Sequence, residues 1–330
     1  MTIVAHGSAV QTPGAAEGGA PRPRTVYHGG AFMTAEDVRL PASTQALHYG
    51  TGVFEGIRGY WDPTARTLLV FRLNEHLERL QRSAAVLRLD LGHPIAELAE
   101  LVLELLRRND CRHDTYVRPM GYKLALEPGT SFGVRLSGVS SALTMSALPM
   151  GSYVDQRGVR CKVSRFRRVP TNCVPSSAKI SGLYVNNALA MEDAVADGCD
   201  DAILLDLAGN VSEATTSNVF VVGRDGTVIT PPATADLLPG ITRASVIELL
   251  AAEAGITVVQ RLVTAAELKD AAEVFLTGTG VEIAPVLSVD DVGYGGAAGP
   301  VTRKVKDLYS RVVHGELEAY RHWLTLLTLG

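Results

Sequence analysis

The chain has 330 residues, enough for one large or two medium domains. Apolar residues make up 46% and charged residues 20%, as in ordinary soluble globular proteins. A formal net charge of -4 and a pI of about 6.1 argue against nucleic acid or an anionic membrane as the main partner. No apolar run reaches the roughly 18–20 residues of a membrane helix. Cys111, Cys161, Cys173 and Cys199 form neither a C-x-x-C pair nor a zinc-spaced cluster. They read as reduced thiols of a cytoplasmic protein, with no metal site.

Residues 1–24, rich in Ala, Gly and Pro and lacking a signal-peptide pattern, read as a disordered tail. TVYHGGAF then reads as strand, Gly-Gly turn and strand, and 67–73 as a compact apolar strand. Asn74 is placed to cap a helix over 75–88, with Leu77, Leu80, Ala84 and Leu87 on one face. Pro94 suits the first turn of a second helix striped by Ile95, Leu98, Leu101, Val102, Leu105 and Leu106. DTYVRPMGYKLAL and SALTMSAL read as strands. The Pro- and Gly-bearing stretch at 148–157 reads as a linker between a small α/β domain, 25–147, and a large domain, 158–330. Basic and apolar residues alternate over 159–169, as on a strand with one wet face. A helix over about 182–197 ends at Gly198. Residues 201–232 read as an antiparallel meander, 241–255 as a helix ending in Gly255, and 273–280 as a strand entering a small-residue loop. A helix from Val301 closes the chain. The pattern is mixed α and β, without internal repeats.

The sequence holds no G-x-S-x-G, H-E-x-x-H, Walker loop or Rossmann glycine motif, which lowers common hydrolase and nucleotide readings. Lys179 in VPSSAKISGLYVNN has small neighbours that leave room for a bulky group beside its amine, and a lysine in such a site can serve as nucleophile or base. Locally it also reads as a plain loop lysine. Glu213, early on a strand, can pair with a buried ring nitrogen or simply face solvent. LPGITR offers the backbone N–H groups of Ile241 and Thr242 at a helix start, suited to an anion or to an ordinary cap. Arg79 reads as an i,i+4 surface partner of Glu75. Tyr116 and Arg118, two apart on a strand, face one side and suit a carboxylate. The basic run at 157–168 reads as a solvated strand face.

Taken in order, HYGTGVFEGIRGY, FRLNEHLERL, YVRP, SSAKISGLYVN, VSEATTSNVF, LPGITR and FLTGTGVEIAPV resemble the fold type IV pyridoxal-phosphate enzymes, and among them the branched-chain amino acid aminotransferases, over about residues 25–326. The resemblance implies a two-domain α/β (α+β) fold with pyridoxal 5'-phosphate in the interdomain cleft. It implies Lys179 as the lysine carrying the cofactor as an aldimine, Glu213 on the pyridine nitrogen and Tyr184 near the phenolic oxygen. Arg79, Ile241, Thr242 and Thr279 would hold the phosphate. Tyr49, Phe54, Gly56, Arg58, Tyr116, Arg118, Met150, Tyr153 and Gly280 match substrate-side positions. Tyr49 would reach a neighbouring subunit, implying a homodimer or higher homo-oligomer. The implied reaction moves the amino group of a branched-chain or similar hydrophobic L-amino acid to 2-oxoglutarate in ping-pong fashion, as in branched-chain amino acid biosynthesis.

Three departures concern the pocket more than the cofactor. Ala214 and Ser217 stand where a Gly and a Glu are common, Met150 replaces a bulky aromatic, and the 121–138 loop differs. Alternatives within the fold are a D-amino-acid or (R)-amine transaminase or an aminodeoxychorismate lyase-like enzyme. A catalytically silent relative is a further alternative.

Overall fold

A computed structural model describes residues 24–124, 133–151 and 157–330. The expected tail therefore lies outside the described residues except for Arg24, as do Tyr153 and half of the linker, residues 152–156. The strands in chain order are Thr25–His28 (β1), Ala31–Thr34 (β2), Gly52–Phe54 (β3), Ile57–Asp62 (β4), Thr67–Phe71 (β5), Thr115–Lys123 (β6), Ser141–Pro149 (β7), Val159–Arg167 (β8) and Asp201–Leu205 (β9). They continue with Val211–Ala214 (β10), Asn218–Val222 (β11), Val228–Thr230 (β12), Val259–Gln260 (β13), Glu273–Gly278 (β14), Glu282–Val289 (β15), Val292–Gly293 (β16) and Leu324–Thr328 (β17). The helices are Gln45–Tyr49 (α1), Leu73–Val86 (α2), Ile95–Arg108 (α3), Tyr184–Ala196 (α4), Ile241–Ala254 (α5), Ala265–Lys269 (α6) and Pro300–Val313 (α7).

Two sheets carry the molecule. The first runs β17-β5-β4-β6-β7-β1-β2, with β3 paired to β6. Helices α2 and α3 pack on it. Leu77, Leu80, Ala84, Leu98, Val102, Leu105 and Leu106, spaced at the helical period, are buried in one cluster with the strand residues Val53, Ile57, Val70 and Val117. The second runs β10-β9-β8-β15-β14-β11-β12-β13, with β8 parallel to β9 and β15 and β12 parallel to β13. Its inner strands are apolar on both faces, and Phe220 and Phe275 stack at 4.9 Å. The meander at 201–232 is present, its strands pairing antiparallel in sequence order.

Three local expectations change. Asn74 does not cap α2: the helix starts two residues earlier, at Leu73 after Arg72, which takes a left-handed backbone (φ 45°) while its guanidinium lies 3.7 Å from the Trp323 ring centre. That tertiary stacking overrides the local capping preference. The chain does not close on a helix: α7 is followed by a 3-10 turn and by β17, which leaves the second half and pairs with β5 of the first sheet. Helix α6 was not expected, although its capping box, Thr264 with Glu267, is readable in TAAE.

Candidate active site

Lys179 is pinned through its backbone. Its N–H donates to Ser83 Oγ at 2.9 Å, and its carbonyl accepts from Phe54 N at 3.1 Å. Both neighbours belong to the first sheet and its helix, so this loop of the second half is docked across the gap between the sheets. The side chain leaves in a defined direction. Nζ donates to Tyr184 Oη at 2.7 Å and lies 5.0 Å from the Phe54 ring centre. The small residues Ser176 and Ala178 are buried beside it, consistent with the room expected there.

The amine borders both parts of a continuous cleft. The first part, about 560 Å3, is lined by Arg79, Arg168, Tyr184, Glu213, Ile241, Thr242 and Thr279 among others. At one pole α5 begins at Gly240, where a Cβ would sit 2.1 Å from Asn218 Oδ1, so only glycine fits. The first-turn N–H groups of a 14-residue helix face this pole, an arrangement that favours an anion. Arg79 stands beside it, its Nη1 donating to Pro239 O at 3.0 Å. Arg79 is not the surface partner of Glu75. It is 6% exposed and bound to Glu55 at 2.6 Å, while Glu75 pairs with Arg72.

On the far side of the Asn218 side chain that Gly240 abuts, Glu213 is buried. Oε1 meets Arg168 Nε at 2.9 Å, and Oε2 accepts from Leu238 N at 3.1 Å and Asn218 Nδ2 at 3.2 Å. Burial raises its pKa against the pull of Arg168. Arg168 is also held by Asn187 Oδ1 at 2.8 Å. The basic run therefore does not end on a wet face. Arg160, Arg165 and Arg167 are exposed, but Arg168 is 5% exposed and enters the cleft. The doublet Arg167-Arg168 held the signal, since neighbouring strand residues point to opposite faces.

The second part, about 650 Å3, is lined by Phe54, Gly56, Tyr116, Arg118, Met150 and Gly280, together with Val281 and the shared Lys179 and Tyr184. Tyr116 and Arg118 share a side as expected: Nη2 of Arg118 donates to Tyr116 Oη at 2.8 Å, and its guanidinium lies 4.5 Å from the Phe54 ring centre. Two other positions from the sequence are elsewhere. Arg58 borders neither part: Nη2 donates to Met150 O and Gly151 O at 3.1 Å each, and Nη1 meets Glu282 at 3.1 Å. Tyr49, 41% exposed, also borders neither. Of the departures, Met150 lines the second part, whereas Ser217 lines the first, beside Glu213. Residues 125–132 of the divergent loop lie outside the described residues. Glu55, His76, Thr216 and Asn187 were not singled out from the sequence. Glu55 stood inside the quoted EGIR run, and His76, three residues before Arg79, shares its helix face.

A family model described as amino-transferase class IV matches residues 52–289. A protein of Aquifex aeolicus named probable branched-chain-amino-acid aminotransferase is 38% identical over 300 residues, 90% of this chain and 94% of its own length. Among solved structures, a branched-chain aminotransferase from Thermoproteus uzoniensis with norvaline superposes with a TM-score of 0.86 at 38% identity, covering 92% of this chain and 99% of that one. A T.th. branched-chain amino acid aminotransferase complexed with N-(5'-phosphopyridoxyl)-L-glutamate gives 0.85 at 37%, covering 93% and 99%. The chain belongs to the class IV aminotransferases, a family of enzymes, and has their fold.

Proposed function

Proceeding from that membership, we propose that this enzyme moves the amino group of a branched-chain or similar hydrophobic L-amino acid to 2-oxoglutarate in a ping-pong cycle, with pyridoxal 5'-phosphate carried on Lys179. The observation that carries the reading is the Lys179 amine, 2.7 Å from Tyr184 Oη, bordering a cleft that has an anion-binding pole and a buried carboxylate. These groups fit the cofactor: an arginine and helix N–H groups for its phosphate, an accepting carboxylate for its ring nitrogen, an amine for its aldehyde. Two further hydroxyls in the same part, Ser217 Oγ and Thr277 Oγ1, are buried without a partner among the described residues, as in a cleft built around a polar ligand.

When bound, the cofactor supplies the electron sink that stabilises charge left on the substrate Cα. The protein's own groups do the rest. Lys179 Nζ, once the substrate amine has displaced it, would take the Cα proton as a general base and pass it on as an acid rather than back to Cα. The Tyr184 hydroxyl keeps that amine oriented. Glu213 accepts a hydrogen bond from a protonated ring nitrogen, and a cation there lowers the pKa that burial has raised. Arg79, Ile241 N, Thr242 and Thr279 anchor the phosphate. Tyr116, Arg118 and the backbone at Gly280 receive the substrate carboxylate, while Phe54, Met150 and Val281 offer an apolar wall to its side chain. The phosphopyridoxyl-glutamate complex of the T.th. enzyme supports the glutamate couple as the second half-reaction.

On this reading the segment 25–147 is the small domain, 148–157 the linker and 158–330 the cofactor-binding domain, with β17 crossing back. We also read Leu47, Tyr49, Val185 and Leu189, all exposed, as the contact face of a homodimer. Gly182 N donating to Gly50 O at 3.2 Å joins α1 to the segment before α4, making that face continuous. The four cysteines are free, which suits a cytoplasmic location.

The test mixes cofactor-loaded enzyme with L- and D-amino acids and amines and follows the cofactor absorbance. Turnover of L-Val, L-Leu and L-Ile is expected. A response confined to D-amino acids or amines would overturn the substrate assignment.

A further inference from the structure

Behind the anion-binding pole lies a buried polar cluster that the chemistry above leaves unused. Glu55 sits in the break between β3 and β4 and is 0% exposed. Its Oε1 accepts from Arg79 Nε at 2.6 Å, and its Oε2 accepts from Arg79 Nη2 at 3.0 Å, from His76 Nδ1 at 2.8 Å and from Gly56 N at 3.2 Å. His76, Arg79 and Ser83 fall at i, i+3 and i+7 on α2, so one helix face supports Glu55, the cleft and the Lys179 backbone together. Since a carboxylate only accepts, Nδ1 of His76 carries the proton of that bond.

A guanidinium has five N–H groups. Three of those on Arg79 are taken, two by Glu55 and one by Pro239 O, the carbonyl immediately before Gly240. Two remain, one on each terminal nitrogen. Arg79 is thus tied at one edge to the first sheet and at one corner to the start of α5. A free arginine would have to give up several rotatable bonds to bind an anion; this one has already done so.

We propose that Glu55 and His76 are positioning residues for Arg79: they pre-set its two remaining N–H groups for the phosphate of the cofactor, and so contribute to phosphate affinity without touching it. The bidentate geometry favours this over a purely structural salt bridge, because it orients the arginine plane and leaves its free edge to the cleft that Arg79 borders. Burial would raise the Glu55 pKa, but Arg79 and His76 outweigh it and hold the carboxyl well below its usual range, so the pair stays ionised. Burial outweighs Glu55 at His76 and holds the imidazole below its usual range.

The inference rests on the cofactor assignment, and one experiment separates the two. The full-length chain, stripped of cofactor, is titrated with pyridoxal 5'-phosphate and with pyridoxal, which lacks the phosphate. For Glu55→Gln the dissociation constant for the phosphorylated form should rise about 10-fold, as for one misdirected charge-assisted contact, with pyridoxal affinity unchanged. Because Glu55 is fully buried, His76 supplies a second pair of variants. His76→Leu should weaken phosphate-dependent affinity roughly 3- to 10-fold, and His76→Asn, which keeps a donor near Nδ1, should restore it. Equal weakening of both ligands would make the cluster merely structural and overturn the proposal. So would unchanged or tighter binding of the phosphorylated form, the latter meaning that Glu55 chiefly neutralises Arg79. If the unaltered chain binds neither ligand, the cofactor assignment itself fails.

Discussion

Gly56→Ala perturbs the substrate side while leaving the cofactor side alone. A Cβ at position 56 would lie 2.0 Å from Tyr116 Oη, 2.6 Å from its Cζ and 2.9 Å from Cε2. No atom accommodates such distances, so the phenol must swing away. The swing removes the 2.8 Å bond from Arg118 and disturbs the Tyr116 ring it lies against, while the Phe54 ring contact stays. A hydrogen bond to a charged group contributes about 1.5–3 kcal/mol, and part of that returns when the displaced groups meet water. We expect a loss of about 1.5 kcal/mol in transition-state binding, or roughly 10-fold in kcat/KM for L-leucine. Most of it should appear in KM, since Lys179 is untouched, and cofactor affinity should not change. Steady-state kinetics with L-leucine and 2-oxoglutarate, beside a thermal melt, provide the measurement. The same glycine change in a Tyr116→Ala background has nothing to strike, so there it should cost under about 2-fold. An equal cost in both backgrounds, or wild-type kinetics in the single variant, would refute the clash as the cause.

Lys179→Ala should abolish turnover and the reducible covalent bond to cofactor, read by borohydride trapping and mass spectrometry; transamination at the wild-type rate would end the assignment. Glu55 has a folded-state pKa held below its ordinary 4.5, so it contributes stability above that value that is lost as pH falls below it. Acid melts should therefore show Tm falling more steeply below about pH 4.5 in the parent than in Glu55→Gln; parallel curves would count against it. Gly299→Ala should lower stability by about 2 kcal/mol without altering cofactor binding, because the new Cβ would sit 2.0 Å from Cδ of Glu273, whose carboxylate caps Val301 N and Thr302 N of α7. An unchanged Tm would show that the cap relocates freely.

Much of this molecule is legible in one dimension. The apolar periods of α2 and α3, the helix over 241–255 with its glycine stop at Gly255, the stop at Gly198 and the meander at 201–232 depend on local geometry, and they stand close to where the pattern puts them. Motif order was equally informative: Lys179, Glu213, Arg79, the start of α5, Tyr116 and Arg118 converge on one cleft although each is ambiguous alone. Other features depended on partners distant in the chain. Asn74 lost its cap because Trp323 holds Arg72 in a left-handed turn. Arg79 left the surface because Glu55, 24 residues earlier, offers a desolvated carboxylate. Arg168 looked like the last of a solvated run until Glu213 and Asn187 claimed it. The closing strand at 324–328 has its partner in 67–71, which no local pattern reveals. Periodicity and turn chemistry are properties of neighbouring residues, so the sequence alone determined the elements and the residue types available for chemistry. Charge pairing and burial are properties of the assembled fold, so only the tertiary structure decided which arginines serve the cleft, which clamp its walls, and what holds each in place.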